Sequence, residues 1–433
     1  MRRTTQTNSS LKADHPDLQT RPNNEGATHP LPIIIIGGGP SGLSTALHLH
    51  QIAPHLSHRI LILEKERYPR FKLCAGGLTI DAETLLEKLD LDVDEVPHVL
   101  ADDIHFDFEA RGLSVRIPKR HALRVIRRDE FDNWLAEKVK SRGVEIREGV
   151  TVKDITPRSD EVIIETDQGT FHAQIVVGAD GSNGITRRCL FPNDPVYTAR
   201  VLEVLTPVVA RSGATKRRRG AVATQSPIKQ EIATFPSVAH NDRNAYFEFS
   251  PVPDNIAGYI WDFPTQVRGE PMRCWGIYDT NILAGAPRPY LKQPLAQEMG
   301  RFGLDLDNYE IKGHPIRWFN PQNNMSAPRV LLVGDALGAD PVFGEGISIA
   351  LGYGKLAAYE ISESLQRGDF SFRGFRRRVV RSALGKTLIA RWGIAQIIYP
   401  IKWRWFQILL WRVLKPIVLL IARVFVLNWG RRL

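Results

Sequence analysis

A chain of 433 residues, 43% of them apolar and 24% charged, can bury a large core, which excludes a disordered or fibrous protein and implies two domains with appendages. Three widely separated cysteines, Cys74, Cys189 and Cys274, include no CxxC pair, so no disulfide framework, metal site or built-in iron–sulfur cluster is expected, and a reducing cytosol fits best. The formal charge of +10 is local: fourteen of the 57 Lys and Arg, and no Asp or Glu, lie between Phe370 and Leu433, so no nucleic-acid partner is expected for the remainder.

Residues 1–31 are polar, rich in Asn, Thr and Pro, and lack an apolar stretch able to serve as a signal peptide; they read as a flexible leader. Next comes "LPIIIIGGGPSGLSTALHLHQIAP", an apolar strand, the turn Gly37-x-Gly39-x-x-Gly42, and an amphipathic helix. Gly37 permits the tight turn, Gly39 lets backbone approach a pyrophosphate, and Gly42 allows close helix–strand packing. Pro40 suits the first helical turn, and with Ser41 it stands where the positive end of the helix faces phosphates. The second strand, "RILILE", ends at Glu64, twenty-two residues after Gly42, where an acid meets ribose hydroxyls, with Lys65 beside it. This spacing predicts a dinucleotide site.

Further along stand Cys74-Ala75-Gly76-Gly77 and the helix start "RRDEFDNWLAEKV" with Arg128. The strand-and-turn segment "AQIVVGADGSNGITRR" contains Asp180. Alternation in "AYFEFSP", "AGYIWDFP" and "RCWGIYDT" predicts antiparallel strands, placing Tyr259, Trp261 and Phe263 on one face, either a sheet core or a wall for an apolar substrate. "RVLLVGDALGADPVFGEGISIALGYGKLAA" then brings Gly334-Asp335, Gly344, Gly346 and Ile347 into a small-residue helix. The tail carries five of the nine tryptophans, but Arg412, Lys415, Arg423 and Pro416 interrupt its apolar run. A charge at bilayer centre costs about 2.5–3.5 kcal/mol, so amphipathic helices lying on a membrane surface are expected rather than a span. The alternative is a helical hairpin packed on the protein's own body or on a twin subunit.

The three glycine segments, in this order over about 300 residues, resemble FAD-dependent oxidoreductases of the p-hydroxybenzoate hydroxylase-like fold. The resemblance implies that Asp335 holds the ribityl chain, that Gly344, Gly346 and Ile347 present a helix N-terminus to the flavin, that Arg128 lies along the FAD, and that Asp180 belongs to a cofactor-side turn. Within that superfamily, Cys74-Ala75-Gly76-Gly77 and the Tyr-x-Trp-x-Phe-Pro run at Tyr259, Trp261, Phe263 and Pro264 resemble the geranylgeranyl reductase family, with Ile256 where that family's leading proline stands. The implied fold is mixed α/β (α+β). It comprises a discontinuous Rossmann-type FAD domain (32–103, 120–195, 325–368), an inserted antiparallel substrate sheet (104–119, 196–324) and a helical, membrane-associating tail (369–433).

The expected activity is reduction of isoprenoid C=C bonds at the cytoplasmic face of a membrane, the protein being peripheral. Gly76 and Gly77 are expected to let backbone lie against flavin and substrate. Cys74 or Tyr259 would supply a proton, Cys74 alternatively packing against the ring. Electrons would come from NAD(P)H or reduced ferredoxin, and Lys216-Arg217-Arg218-Arg219 forms either a docking patch for an acidic carrier or a solvated loop. A flavin monooxygenase or halogenase shares the fold and is the main rival, though the Trp-x-Trp-x-Ile-Pro run of halogenases is absent. Membrane quinone electron transfer is a further reading.

Overall fold

The computed structural model describes residues 32–208, 243–283, 288–423 and 427–433. The leader 1–31 and the basic run 216–219 lie outside the described residues.

In chain order, β1 (Ile33–Ile36) feeds α1 (Pro40–Ile52), and β2 (Ile60–Glu64) returns beside it. The short β3 (Gly77–Leu78), α2 (Ile80–Glu87) and β4 (His98–Ala101) precede the hairpin β5 (Asp103–Phe108) and β6 (Arg111–Arg116), then β7 (Leu123–Ile126) and α3 (Arg128–Lys140). Five strands follow: β8 (Glu145–Glu148), β9 (Val152–Pro157), β10 (Val162–Thr166), β11 (Gly169–Ala173) and β12 (Ile175–Gly178), before α4 (Ile185–Leu190). The long strands β13 (Thr198–Pro207), β14 (Asn244–Glu248), β15 (Gly258–Val267) and β16 (Glu270–Asp279) come before α5 (Lys292–Gly300) and β17 (Lys312–Arg317). β18 (Ser326–Ala327) and β19 (Val330–Leu332) lead to α6 (Ile347–Arg367). The tail holds α7 (Phe375–Arg381), α8 (Ala383–Ile398), α9 (Arg404–Ile408), α10 (Lys415–Ile421) and α11 (Trp429–Arg432).

The nucleotide-fold sheet has the order β18-β19-β12-β1-β2-β8, parallel except at β18. Its centre, β1, is four isoleucines in a row because both faces are covered, which removes the need for a polar side. Ile33 and Ile35 pack with α1, α3 and α6, while Ile34 and Ile36 pack with β9–β11.

The second sheet has the order β17-β13-β16-β15-β14-β5-β6, antiparallel except where β14 meets β5. Period-two alternation divides its residues. Val204, Ile260, Trp275 and Ile277 pack under α5, whereas Tyr259, Trp261 and Phe263 share the opposite core, as the strand pattern predicts.

The tail rests on this body. Trp429 is fully buried, and a Cβ on Gly352 of α6 would come within 2.8 Å of its ring. The Asn428 and Gly430 N–H groups donate to Asp81 at 3.1 and 2.8 Å. Trp411 stacks on Phe249 at 4.1 Å, and Arg404 grips Glu109 through two hydrogen bonds of 2.6 and 2.7 Å. Thus one side of the tail has the body-packed arrangement. Its other side leaves Trp403 63%, Trp405 59%, Ile417 51% and Leu420 61% exposed. Among the described residues, no helix is long and apolar enough to cross a membrane.

Candidate functional site

The three glycine segments meet at one place, and the glycines there serve two purposes. Gly37 has φ +103°, and a Cβ on it would lie 2.4 Å from the Ala179 carbonyl; one on Gly42 would lie 2.1 Å from that of Gly37. Internal packing demands both. By contrast, a Cβ on Gly39 would meet nothing nearer than Arg70 Nη2 at 3.7 Å, one on Gly346 nothing nearer than Asp335 Oδ1 at 3.8 Å, and one on Gly181 nothing within 4 Å. These glycines border open space.

Around that space, Glu64 is buried and its Oε2 accepts the Gly38 N–H at 2.7 Å, while Oε1 accepts that of Glu66 at 3.0 Å. Arg70 donates to the Gly38 carbonyl at 3.2 Å, as does the Tyr68 hydroxyl, and it pairs with Glu64 at 3.5 Å and Asp132 at 3.2 Å. Arg128 forks onto Asp132 through two 2.8 Å bonds. Arg70 thereby ties the phosphate turn to α3. It escaped the sequence reading although it lies only six residues beyond Glu64. Lys65, expected at the cofactor, has a side chain 69% exposed and approaches Glu66 at 3.9 Å.

The late segment closes the site from the other side. A Cβ on Gly334 would come 2.7 Å from Cβ of Ser41, and the Ser182 hydroxyl donates to Asp335 Oδ2 at 3.3 Å, so residues from all three segments touch. Asp180 turns Oδ2 into the start of α4, accepting the Thr186 N–H at 2.8 Å and its hydroxyl at 2.9 Å. Ser41 Oγ and Asp180 Oδ1 are buried without a hydrogen-bond partner. Open glycine edges, unsatisfied buried oxygens, and the positive ends of α1 and α6 fit an FAD dinucleotide. Gly37, Gly39, Pro40, Ser41, Gly42, Glu64, Arg128, Gly334, Asp335, Gly346 and Ile347 would hold it.

The cysteine segment lies between this fold and the second sheet. Gly76 has φ +81°, its carbonyl accepts the Ile126 N–H at 3.0 Å, and a Cβ there would lie 1.9 Å from the Ile126 carbonyl. Packing against β7 therefore requires glycine at position 76 in its own right. A Cβ on Gly77 would meet Phe263 at 3.5 Å, and one on Gly344, φ +63°, would meet Tyr278 at 2.8 Å, so both cofactor-side loops abut the aromatic face. Cys74 is half-buried and its Sγ accepts the Gly76 N–H at 3.4 Å.

That face is a continuous apolar wall. Phe247 lies 5.0 Å from Phe106, 4.9 Å from Tyr259 and 5.1 Å from Phe263, and Tyr259 stacks on Tyr278 at 5.4 Å. The Tyr259 hydroxyl donates to the Phe343 carbonyl, and burial, aided by Tyr399 and Asp340, raises its pKa well above the ordinary phenol value. At the wall's edge Lys72 Nζ lies 2.6 Å from His314 Nε2; burial and then Lys72 hold His314 down at about 4, so it accepts as a neutral ring. A separate cleft of about 770 Å³, lined by Glu109, Arg111, Asp254, Glu298, Arg301 and Arg412 among others, includes none of the glycine segments.

Comparison with known proteins agrees with this geometry. Residues 30–257 match the FAD binding domain family. An uncharacterized protein of Methanosarcina barkeri is 28% identical over 81% of this chain and 80% of its own. A digeranylgeranylglycerophospholipid reductase of Methanocella arvoryzae is 24% identical over 84% and 86%. Among solved structures, a geranylgeranyl bacteriochlorophyll reductase-like protein from Thermoplasma acidophilum superposes with TM-score 0.65 at 19% identity, covering 84% of this chain and 86% of that one. A flavin-dependent brominase gives TM-score 0.62 at 19% identity, covering 92% and 94%. At these identities the structural likenesses establish the fold.

Proposed function

The chain belongs to the FAD binding domain family and is an FAD-dependent oxidoreductase, from which we propose that it reduces C=C bonds of an isoprenoid chain on a lipid, quinone or pigment. The observation that carries this reading is the aromatic wall of Phe106, Phe247, Tyr259, Phe263 and Tyr278, set directly against the Cys74–Gly77 and Gly344–Gly346 loops. An apolar wall favours a hydrocarbon chain by removing its surface from water, at about 25 cal/mol per Å². The reductase names of two of the relatives above support it.

Bound and reduced FAD supplies hydride chemistry at this wall. The protein's own part is to orient the alkene and exclude water. Lys72 stands near Asp335 and Arg128, and with the N-terminus of α6 it offers positive potential where negative charge accumulates. NAD(P)H or reduced ferredoxin is the electron donor in this reading. The exposed Trp403, Trp405, Ile417 and Leu420, in a stretch without acids from Phe370 onward, suit a peripheral seat on the cytoplasmic face of an anionic membrane, from which an apolar substrate enters.

Halogenation or monooxygenation is the second reading, favoured by the brominase likeness over 92% of the chain. Mass spectrometry of lipids, quinones and pigments from cells with and without the gene decides between them. Mass shifts in steps of two hydrogens are expected; oxygen-dependent products carrying halogen or oxygen would overturn the reductase reading.

A further inference from the structure

On the face of the second sheet turned toward the nucleotide fold, the register sets Glu203 of β13 between Gly276 of β16 and Lys312 of β17. Gly276 in turn pairs with Trp261 of β15, whose ring occupies the space a Cβ on Gly276 would need. Glu203 is therefore in the row of Trp261, with Tyr259 and Phe263 in the flanking rows. It is 4% exposed and the only buried carboxylate on this face of β13, β15 and β16. The Cys274 side chain and the Cys74 backbone lie next to its carboxyl, whose Oε2 is buried with no hydrogen-bond partner.

Among the described residues, no cation makes an ion pair with it. Arg127, from the turn before α3, and Lys312 act through space, and Lys312 is also paired with Glu310 at 3.2 Å. Cys274 is a further titratable neighbour, and Cys74 in turn lies near Cys274. A buried carboxylate so placed is costly as an anion and stable as an acid. Burial, opposed by Arg127 and Lys312, pushes its carboxyl up to about 7.

Resting on the function proposed above, we propose that Glu203 is the acid that delivers the proton in the alkene reduction, lying beside Cys74 on the aromatic wall. One alkene carbon takes a hydride, with its electron pair, from reduced flavin, which is oxidised. The π pair takes the Glu203 proton to form the second C–H bond; the O–H bond breaks, and the carboxylate is reprotonated from solvent. Of the other two candidates, the Tyr259 hydroxyl proton is already donated to the Phe343 carbonyl, and Cys74 is only half-buried, its Sγ accepting the Gly76 N–H.

The test pairs infrared titration of the carboxylic C=O band with anaerobic single-turnover reoxidation of the dithionite-reduced flavoprotein by a geranylgeranyl lipid. Wild type should show a protonated-carboxyl band that titrates near 7, absent from Glu203→Gln. The variant should bind FAD with unchanged affinity and reoxidise about 10²-fold more slowly, with its pH dependence flattened. No such band in wild type, or an active wild type matched by an equally active variant, overturns the assignment alone. A wild type inactive on every isoprenoid alkene overturns the proposed function, and this assignment with it.

Discussion

Arg391 and Glu345 are joined across 46 residues by a 2.6 Å ion pair in which the arginine is 1% exposed. The same Nη1 lies 2.8 Å from Asp340 Oδ2. Burial tends to raise the Glu345 carboxyl, but Arg391, Ser348 and Thr79 outweigh it and hold it below its ordinary value. A tail helix, α8, therefore supplies the charge that fixes the Gly344–Gly346 loop beside the flavin space.

Replacing Arg391 with Met leaves two buried carboxyls without their cation. Losing one member of a buried ion pair costs about 3–5 kcal/mol. Arg391→Met should lower the thermal midpoint by several degrees and weaken FAD retention through gel filtration. A variant that melts with wild type and stays yellow would show that the pair does not hold the loop.

The open glycines and the packed ones separate stability from binding. Gly39→Ala should leave the flavin-free protein's unfolding midpoint within about 2 °C of wild type, yet weaken FAD binding at least tenfold, because the new methyl enters only the ligand's space. Gly42→Ala, whose Cβ would strike the Gly37 carbonyl at 2.1 Å, should destabilise the fold itself by about 1–3 kcal/mol. Equal losses of stability in the two variants would contradict the division.

Glu203 makes stability depend on pH in a definite direction. Its native pKa of about 7 lies above the ordinary 4.5, so between those values the native state keeps a proton that the unfolded chain has released. Stability therefore falls as pH rises through that window, by on the order of 3 kcal/mol in total. Urea unfolding of Glu203→Gln should lack this portion of the fall, the difference between variant and wild type growing from pH 4.5 to 7. Parallel curves would mean that the carboxyl ionises normally.

The exposed tryptophans can be removed without touching the core. The double substitution Trp403→Ser and Trp405→Ser should keep the wild-type melting temperature while reducing co-flotation with phosphatidylserine liposomes about tenfold or more. Undiminished flotation would assign the membrane contact elsewhere.

Tyr259→Phe removes a hydroxyl held by a backbone carbonyl. Stability should fall by about 1–3 kcal/mol, because the Phe343 carbonyl loses its donor, while the pH dependence of flavin reoxidation is unchanged. A shifted pH profile would return Tyr259 to the proton path.

The nucleotide fold was legible because each of its parts is local: Gly37-x-Gly39-x-x-Gly42 directly follows β1, and Glu64 ends the next strand. The common face of Tyr259, Trp261 and Phe263 followed from period-two alternation alone. What covers an apolar face is a different matter. The tail's pattern of Trp, Leu and Arg reads alike for a membrane or for a neighbouring helix, and only packing showed Trp429 against Gly352 and Trp411 on Phe249. Arg391 meets Asp340 and Glu345 from about fifty positions away, beyond any local pattern. Glu203 did leave a trace: in "ARVLEVLTP" it is a charge at the position where alternation calls for an inward apolar residue, flanked two away by Val201 and Leu205.

The Arg391 bridge couples two equilibria thermodynamically. If FAD is bound more tightly when α8 is docked, docking must be stabilised by FAD to the same extent, since the coupling free energy belongs to both events. Flavin loading would then be read at a distance, as protection of the tail against protease and slower amide exchange in α8. Any surface that pulled α8 away from Asp340 and Glu345 would loosen the cofactor by the same factor.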